Sequence, residues 1–290
     1  SGRLALDILL ALAGQGALPA RYRILEVSAD LRQRQRQLLA QLPERLRARV
    51  EWLDAPPADG WRGVLLANEV LDALPVAGFA WRGGAVQARG VALDETGAPG
   101  WQERPAQPAL SAEVARLQAE LGDAPWPDGF VSELCTRAVP WIDTVTRTLQ
   151  QGIALFIDYG LPRREYYHPQ RSSGTLRCHY RQRAHNDPFA HPGMEDITAW
   201  VDFTRVAEAA DAAGLQVLGF ATQAALLLGL GIETAIAAST DEVSRIRRAS
   251  EARQLLMPTE MGETFKAIAL GRGWDAPLAG FAHQDLRRLL

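Results

Sequence analysis

The sequence predicts an α/β fold, and three observations carry that expectation. Two apolar runs of strand length, residues 64–67 and 153–157, each stop abruptly at a polar cluster, Asn68-Glu69 and Asp158-Tyr159-Gly160. Segments with helical apolar spacing alternate with such runs along most of the chain. A third strand-like run, residues 22–27, carries Glu26 near its end, where nucleotide-binding α/β units place an acid for ribose hydroxyls. In open α/β sheets ligands sit beyond the carboxyl ends of the strands, so these acid-tipped ends are the candidate sites.

Composition bounds the function classes. At 290 residues and 47% hydrophobic content the chain can bury a large core. A formal net charge of −3 removes any global attraction to nucleic acid or to an anionic membrane. Basic charge is almost all arginine, Lys266 being the only lysine. Cys135 and Cys178 are too few for a disulfide framework, which fits a reducing compartment: bacterial cytoplasm, or the mitochondrial matrix in a eukaryote. No uninterrupted apolar run is long enough to span a bilayer.

Taken in order, Ser1-Gly2-Arg3 is a small-residue turn feeding a helix, as if the chain were entered mid-motif with the preceding strand missing. Such a helix start can receive an anion or a cofactor's polar edge, and a Ser-Gly start is equally what a tag leaves behind. Residues 30–42 form an Arg/Gln-rich helix whose arginines are a solvated face rather than a nucleic-acid patch. Residues 49–53 are a strand ending at Asp54, which is placed to reach an adenine edge, with Trp52 in the core.

Residues 64–67 supply the fourth strand, expected to be buried. Beyond it Asn68, Glu69 and Asp72 put an amide and two carboxylates where a substrate cation could pair with them. Equally, Asn68 could cap a following helix, with the two acids favouring its positive end. Residues 76–150 are an insertion: a Gly-Gly hairpin between residues 79 and 101, a Pro/Gly-rich loop, a helix at 109–121 and another at 129–150. After the strand at 152–157 comes a long polar stretch, 161–200, of the kind that forms lids or binding loops. It holds His179, a candidate proton acceptor. Cys178, His179, His185 and His191 lack the compact paired spacing of a zinc site, so no metal is assigned. A helix at 201–213, a strand at 215–220, helices to about residue 256 and a last strand at 263–270 complete a single domain, 1–290.

As an ordered set, several of these stretches resemble the MidA-like S-adenosylmethionine-dependent methyltransferases. That family includes the mitochondrial protein-arginine methyltransferase that acts in assembly of respiratory complex I. The matching residues are Asn68-Glu69-Val70-Leu71-Asp72-Ala73-Leu74-Pro75, then Ile157-Asp158-Tyr159-Gly160, then Gly174-Thr175-Leu176 with His179. Pro192-Gly193, Asp196-Ile197-Thr198 with Val201-Asp202-Phe203, and Met261-Gly262-Glu263 with Phe265-Lys266 follow. Two departures stand out: the family's glycine-rich loop survives only as Ser1-Gly2, and Trp200 stands where many relatives have histidine.

The resemblance implies a class I (Rossmann-like) methyltransferase sheet of seven strands with a final antiparallel strand and helical and hairpin insertions, its N-terminal strand absent from this chain. It implies S-adenosyl-L-methionine as cofactor, bound by Ser1, Gly2, Glu26, Asp54, Asn68 and Glu69. Glu69 and Asp72 would hold and activate an arginine guanidinium, supported by Asp158, Tyr159 and Asp196, with His179 taking the released proton. The implied partner is a protein bearing arginine, such as a respiratory complex I subunit; a homodimer is compatible, nucleic acid and a membrane span are not expected. The alternative reading is a non-catalytic assembly or binding factor that keeps the methyltransferase fold.

Overall fold

The structure is a computed structural model that describes residues 2–122, 126–181, 183–238 and 241–290. The chain divides into two compact units, Ser1–Trp61 and Arg62–Leu290.

In the first unit, Gly2 takes the left-handed φ of +83° that glycine tolerates, and α1 (Arg3–Gly14) starts directly behind it. The elements β1 (Tyr22–Leu25), α2 (Ala29–Leu39), α3 (Glu44–Arg47) and β2 (Val50–Leu53) follow. The Ser28 side chain caps α2 by accepting the Leu31 N–H. β1 and β2 pair in parallel, Tyr22 opposite Val50 and Leu25 opposite Leu53. Ala5, Leu6 and Leu9 lie on one face of α1 and pack with Leu39, Leu42 and Leu46 into the unit's core. Of α2 only Gln35 and Leu39 are buried; Arg34 and Arg36 are solvated as expected, whereas Arg32 turns inward and donates to the Leu53 carbonyl at 3.1 Å.

The second unit is entered along β3 (Trp61–Asn68). β4 (Ala77–Arg82), β5 (Ala85–Leu93) and β6 (Pro99–Pro105) form the expected hairpin and one strand more. Gly83 and Gly84, at φ +54° and +80°, make the two-residue turn between β4 and β5. After α4 (Pro108–Leu121) the expected helix at 129–150 is corrected: β7 (Val131–Leu134), α5 (Ala138–Thr146) and the start of β8 (Leu149–Leu161) occupy it. β7 is buried on both faces and pairs with β4, and a short continuous buried run has no alternation to betray a strand. Among the described residues β6, β5, β4 and β7 form one antiparallel sheet. An aromatic core of Phe79, Trp126, Phe130 and Tyr167 lies against it, Trp126 and Phe130 stacked at 4.6 Å.

The polar stretch 161–200, expected to form a lid or binding loop, holds α6 (Arg163–Tyr166), β9 (Arg177–Tyr180), β10 (Arg183–His185) and β11 (Asp196–Thr198). These strands span three or four residues each, too short to leave a periodic signal. β12 (Val201–Asp202), α7 (Phe203–Ala212), β13 (Gln216–Thr222), α8 (Gln223–Gly229), α9 (Ile232–Ala237), α10 (Glu242–Leu256) and β14 (Phe265–Arg272) complete the chain's main elements. The described residues join β12, β8, β14 and β13 in that order, with β3 also on β8. β14 runs antiparallel to both neighbours. Gly152 stands against Gly63, and the Glu69 N–H donates to the Ile157 carbonyl at 2.9 Å, so β3 and β8 run the same way. The expected burial of residues 64–67 is corrected: Val64 is 70% and Leu66 39% exposed. An α/β architecture of mixed sheets and helices is what the chain builds. No helix among the described residues is long and apolar enough to cross a membrane.

Candidate functional site

In the N-terminal unit, Glu26 sits one residue past β1 and is half-buried. Its Oε1 accepts the Ser28 N–H at 2.9 Å and its Oε2 accepts the Gln35 side-chain amide at 3.0 Å. A carboxylate has about four acceptor positions, so capacity for ribose hydroxyls is left. The buried Gln35 also accepts the Trp52 indole N–H at 3.0 Å, and a Cβ on Gly2 would come within 3.2 Å of it. One amide thereby links the ends of β1 and β2, and the Gln35 backbone and stem lie against Gly2. Helix α1 has no side-chain cap and no acid in its first turn, so its positive end is open to an anion. An anion-binding helix start beside an acid for hydroxyls fits the amino-acid and ribose parts of S-adenosyl-L-methionine. Asp54, past the end of β2, is 88% exposed and pairs with Arg32 at 2.7 Å. Ser1 lies outside the described residues.

In the larger unit the polar clusters at the ends of β3 and β8 meet. Glu69 leaves β3 at φ +51°, a left-handed conformation that a side-chain-bearing residue adopts only at a cost. Its carboxylate is exposed and accepts the Asn68 amide at 3.0 Å. The helix that Asn68 was expected to cap is absent: residues 70–74 form a turn instead. What stabilises that turn is Asp158. Its Oδ2 accepts the N–H groups of Val70, Leu71 and Asp72 at 3.1, 2.9 and 3.2 Å, and its Oδ1 accepts that of Tyr159 at 2.9 Å. The side chain predicted to contact substrate is thus committed to holding the loop.

Asp72 is buried inside this turn and accepts the Tyr159 hydroxyl at 2.5 Å through Oδ2. Its Oδ1 is buried and makes no hydrogen bond within the described residues. Burial raises the Asp72 pKa, against the opposing bond from Tyr159. Burial and the neighbouring Asp72 charge push Asp158 up to about 7, although its backbone donors favour the ionised form. Burial, then the bond to Asp72, also raises the Tyr159 phenol. The Asp72 carbonyl accepts the Ala199 N–H at 3.1 Å, fastening the turn beside the end of β11. On that small sheet His179 and Asp196 are both exposed and stand opposite each other across β9 and β11. Register partners share a face, so the two side chains project to the same side.

Sequence reasoning missed Glu133, a buried acid on β7. Its Oε2 accepts the Thr175 N–H at 2.8 Å and hydroxyl at 3.0 Å. Gly174, at φ +78°, packs so closely that a Cβ would lie 2.2 Å from Glu133 Oε1. Glu133, Gly78 and Arg89 occupy one register line across β7, β4 and β5, with Glu103 next on β6. Arg89 stands among these acids and over the Trp101 ring at 4.4 Å. The one signal for Glu133 was the Gly174-Thr175 pair, whose partner lies 42 residues upstream. A second unforeseen grouping gathers Cys178, His185 and Glu195.

The family model described as "Putative S-adenosyl-L-methionine-dependent methyltransferase" matches residues 1–221. A Drosophila melanogaster protein named protein arginine methyltransferase NDUFAF7 homolog, mitochondrial, is 28% identical over 232 residues, covering 76% of this chain and 51% of its own length. The chain therefore spans about half the length of that curated relative. A crystal structure of a COG1565 superfamily protein from Burkholderia thailandensis is 44% identical with a TM-score of 0.92, over 100% of this chain and 76% of the other. Another Burkholderia thailandensis structure of that superfamily, bound to S-adenosyl-homocysteine, is 42% identical with a TM-score of 0.91, over 100% and 73%.

Proposed function

Because the chain belongs to the MidA-like family of S-adenosyl-L-methionine-dependent methyltransferases, we propose that it methylates arginine side chains of a protein substrate. The class I, Rossmann-like form of the sheet and a substrate such as a respiratory complex I subunit are part of this reading. The arginine part of the reading draws support from the name of the Drosophila relative, a protein arginine methyltransferase. The observation that carries the arginine assignment is Asp72 Oδ1, a buried carboxylate oxygen with no hydrogen bond among the described residues. A guanidinium brings donors in a planar fork that suits such an oxygen.

The cofactor supplies an activated methyl group on a sulfonium. In this reading Gly2, at the start of α1, and Glu26 hold the cofactor's amino-acid and ribose parts. Asp54 serves the adenine edge, and Asn68 serves the methionine end with Glu69. Asp72 and Glu69 orient the guanidinium, and their charge stabilises the cation that forms as the nitrogen gains a methyl group. Asp158 positions both through the 70–72 backbone, and Tyr159 fixes the Asp72 rotamer. His179, facing Asp196, receives the proton released from the methylated nitrogen.

The test starts with calorimetric titration of S-adenosyl-homocysteine into the full-length protein and into Glu26→Ala. At least a tenfold loss of affinity, about 1.4 kcal/mol, is expected in the variant. Label transfer from methyl-labelled cofactor to proteins of a cell extract, read as methylarginine by mass spectrometry, then tests the substrate. Binding without transfer to any protein would replace this reading by the assembly-factor one, and label on a different residue type would overturn the arginine assignment.

A further inference from the structure

Away from the Asp72 turn, the small sheet of β10, β9 and β11 gathers three ligating groups. A Cys178 sulfur, a His185 nitrogen and a Glu195 carboxylate oxygen all lie within 4.8 Å of one another. The register produces this. Cys178 stands opposite His185 across β9 and β10, and opposite Ile197 across β9 and β11. Cys178 and His185 therefore share a face, and the bend that leads into β11 brings Glu195 to them.

Glu195 marks the trio out. Its side chain is 1% exposed, yet neither oxygen makes a hydrogen bond among the described residues. Its near neighbour is His185 Nε2 at 3.0 Å, itself buried and outside hydrogen-bonding geometry. Cys178 is fully buried beside them. A buried carboxylate without donors is costly unless an opposite charge joins it. Three lone-pair groups converge here, and among the described residues no hydrogen bond satisfies the Glu195 oxygens or His185 Nε2, which is the arrangement a cation completes.

We propose that Cys178, His185 and Glu195 bind one zinc ion. The charges close: a thiolate and a carboxylate neutralise the dication, His185 ligates as the neutral ring through Nε2, and the thiol proton leaves to solvent. Mixed sulfur, nitrogen and oxygen donors suit a borderline metal such as zinc. Zinc–ligand bonds of about 2.0–2.3 Å place tetrahedral ligands roughly 3.5 Å apart, so the trio need close by only about 1 Å. A water completes the tetrahedron as the fourth ligand; His185 also lines an open cavity of about 710 Å³ together with Tyr180, Arg183 and His191. The ion clamps a sheet whose strands of four, three and three residues are too short to be stable by pairing alone.

Cobalt(II) is the probe, titrated into full-length protein freed of metal with a chelator. One equivalent per chain should bind and give a near-ultraviolet thiolate-to-cobalt charge-transfer band, which zinc then abolishes by displacement. The band should vanish in Cys178→Ser and persist in Cys135→Ser, and His185→Gln and Glu195→Gln should each bind at least tenfold more weakly. Zinc should also slow tryptic cleavage at Arg181 and Arg183 in the wild type but not in His185→Gln. If Cys178→Ser misfolds by circular dichroism, His185→Gln, at a partly exposed position, carries the test. Absence of saturable binding at one equivalent, a band that survives in Cys178→Ser, or wild-type affinity in Glu195→Gln would each overturn the site.

Discussion

Glu69 serves two masters, and a glycine at its position separates them. Its φ of +51° places an L residue in the left-handed region at the end of β3, a strain of about 1–2 kcal/mol. Glycine removes that strain, but it loses more backbone entropy on folding, about 0.5–1 kcal/mol. The side chain forfeits only one exposed hydrogen bond, from Asn68, which contributes close to nothing. Glu69→Gly should therefore be at least as stable as the wild type, with a gain of up to about 1.5 kcal/mol, read as a rise in urea midpoint at unchanged m-value. On the proposed arginine reading, methyl transfer should meanwhile fall at least a hundredfold, because the guanidinium would lose a charge-assisted partner worth about 3 kcal/mol in the transition state. A gain of stability with loss of activity is the signature of a residue kept strained for function. A variant destabilised by more than 1 kcal/mol would refute the strain, and one with full turnover would refute the role.

Two further outcomes follow from the buried acids. Gly174→Ala should cost about 2–4 kcal/mol by urea denaturation, from left-handed strain and from displacing a buried acid off its donors, because its Cβ would lie 2.2 Å from Glu133 Oε1. Gly193→Ala, at the similar φ of +76° with nothing within 4 Å of its Cβ, should cost only the strain; equal losses at both sites would discount the Glu133 contact. For pH, Asp158 is raised to about 7 and Asp72 is raised as well. The folded chain thus holds protons that the unfolded chain has released, and this contribution, full below about pH 4, is lost as pH rises through about 7. The stability of the wild type relative to Asp158→Asn should accordingly decline between pH 5 and pH 8, and a constant or widening gap would refute the shift.

What the sequence made legible were the ends of strands. Asn68-Glu69 and Asp158-Tyr159 could be found because an apolar run that stops at an acid is a local pattern, and Glu26 by its distance from the opening turn. Hidden from such reading is anything set by pairing across long separations. Residues 131–134 are buried on both faces, so no alternation revealed a strand, and with it Glu133 went unseen. Asp158 looked like a substrate ligand because its four backbone donors include three on a turn 86 to 88 residues earlier in the chain.

The same reasoning explains why a metal was not assigned from spacing. Ligand spacing is informative when one turn of chain delivers both ligands of a pair. Here register delivers them: Cys178 and His185 meet because β9 and β10 are antiparallel, and Glu195 arrives on the third strand's approach. A cysteine, a histidine and a glutamate scattered over 18 positions carry no motif, yet three short strands converge them on one point. Charge then does the sorting. Asp158 is buried and satisfied by four N–H donors, whereas Asp72 Oδ1 and both Glu195 oxygens are buried and make no hydrogen bond among the described residues. Buried acids that the fold has already satisfied hold structure in place, and buried acids it leaves without donors mark where something positively charged belongs.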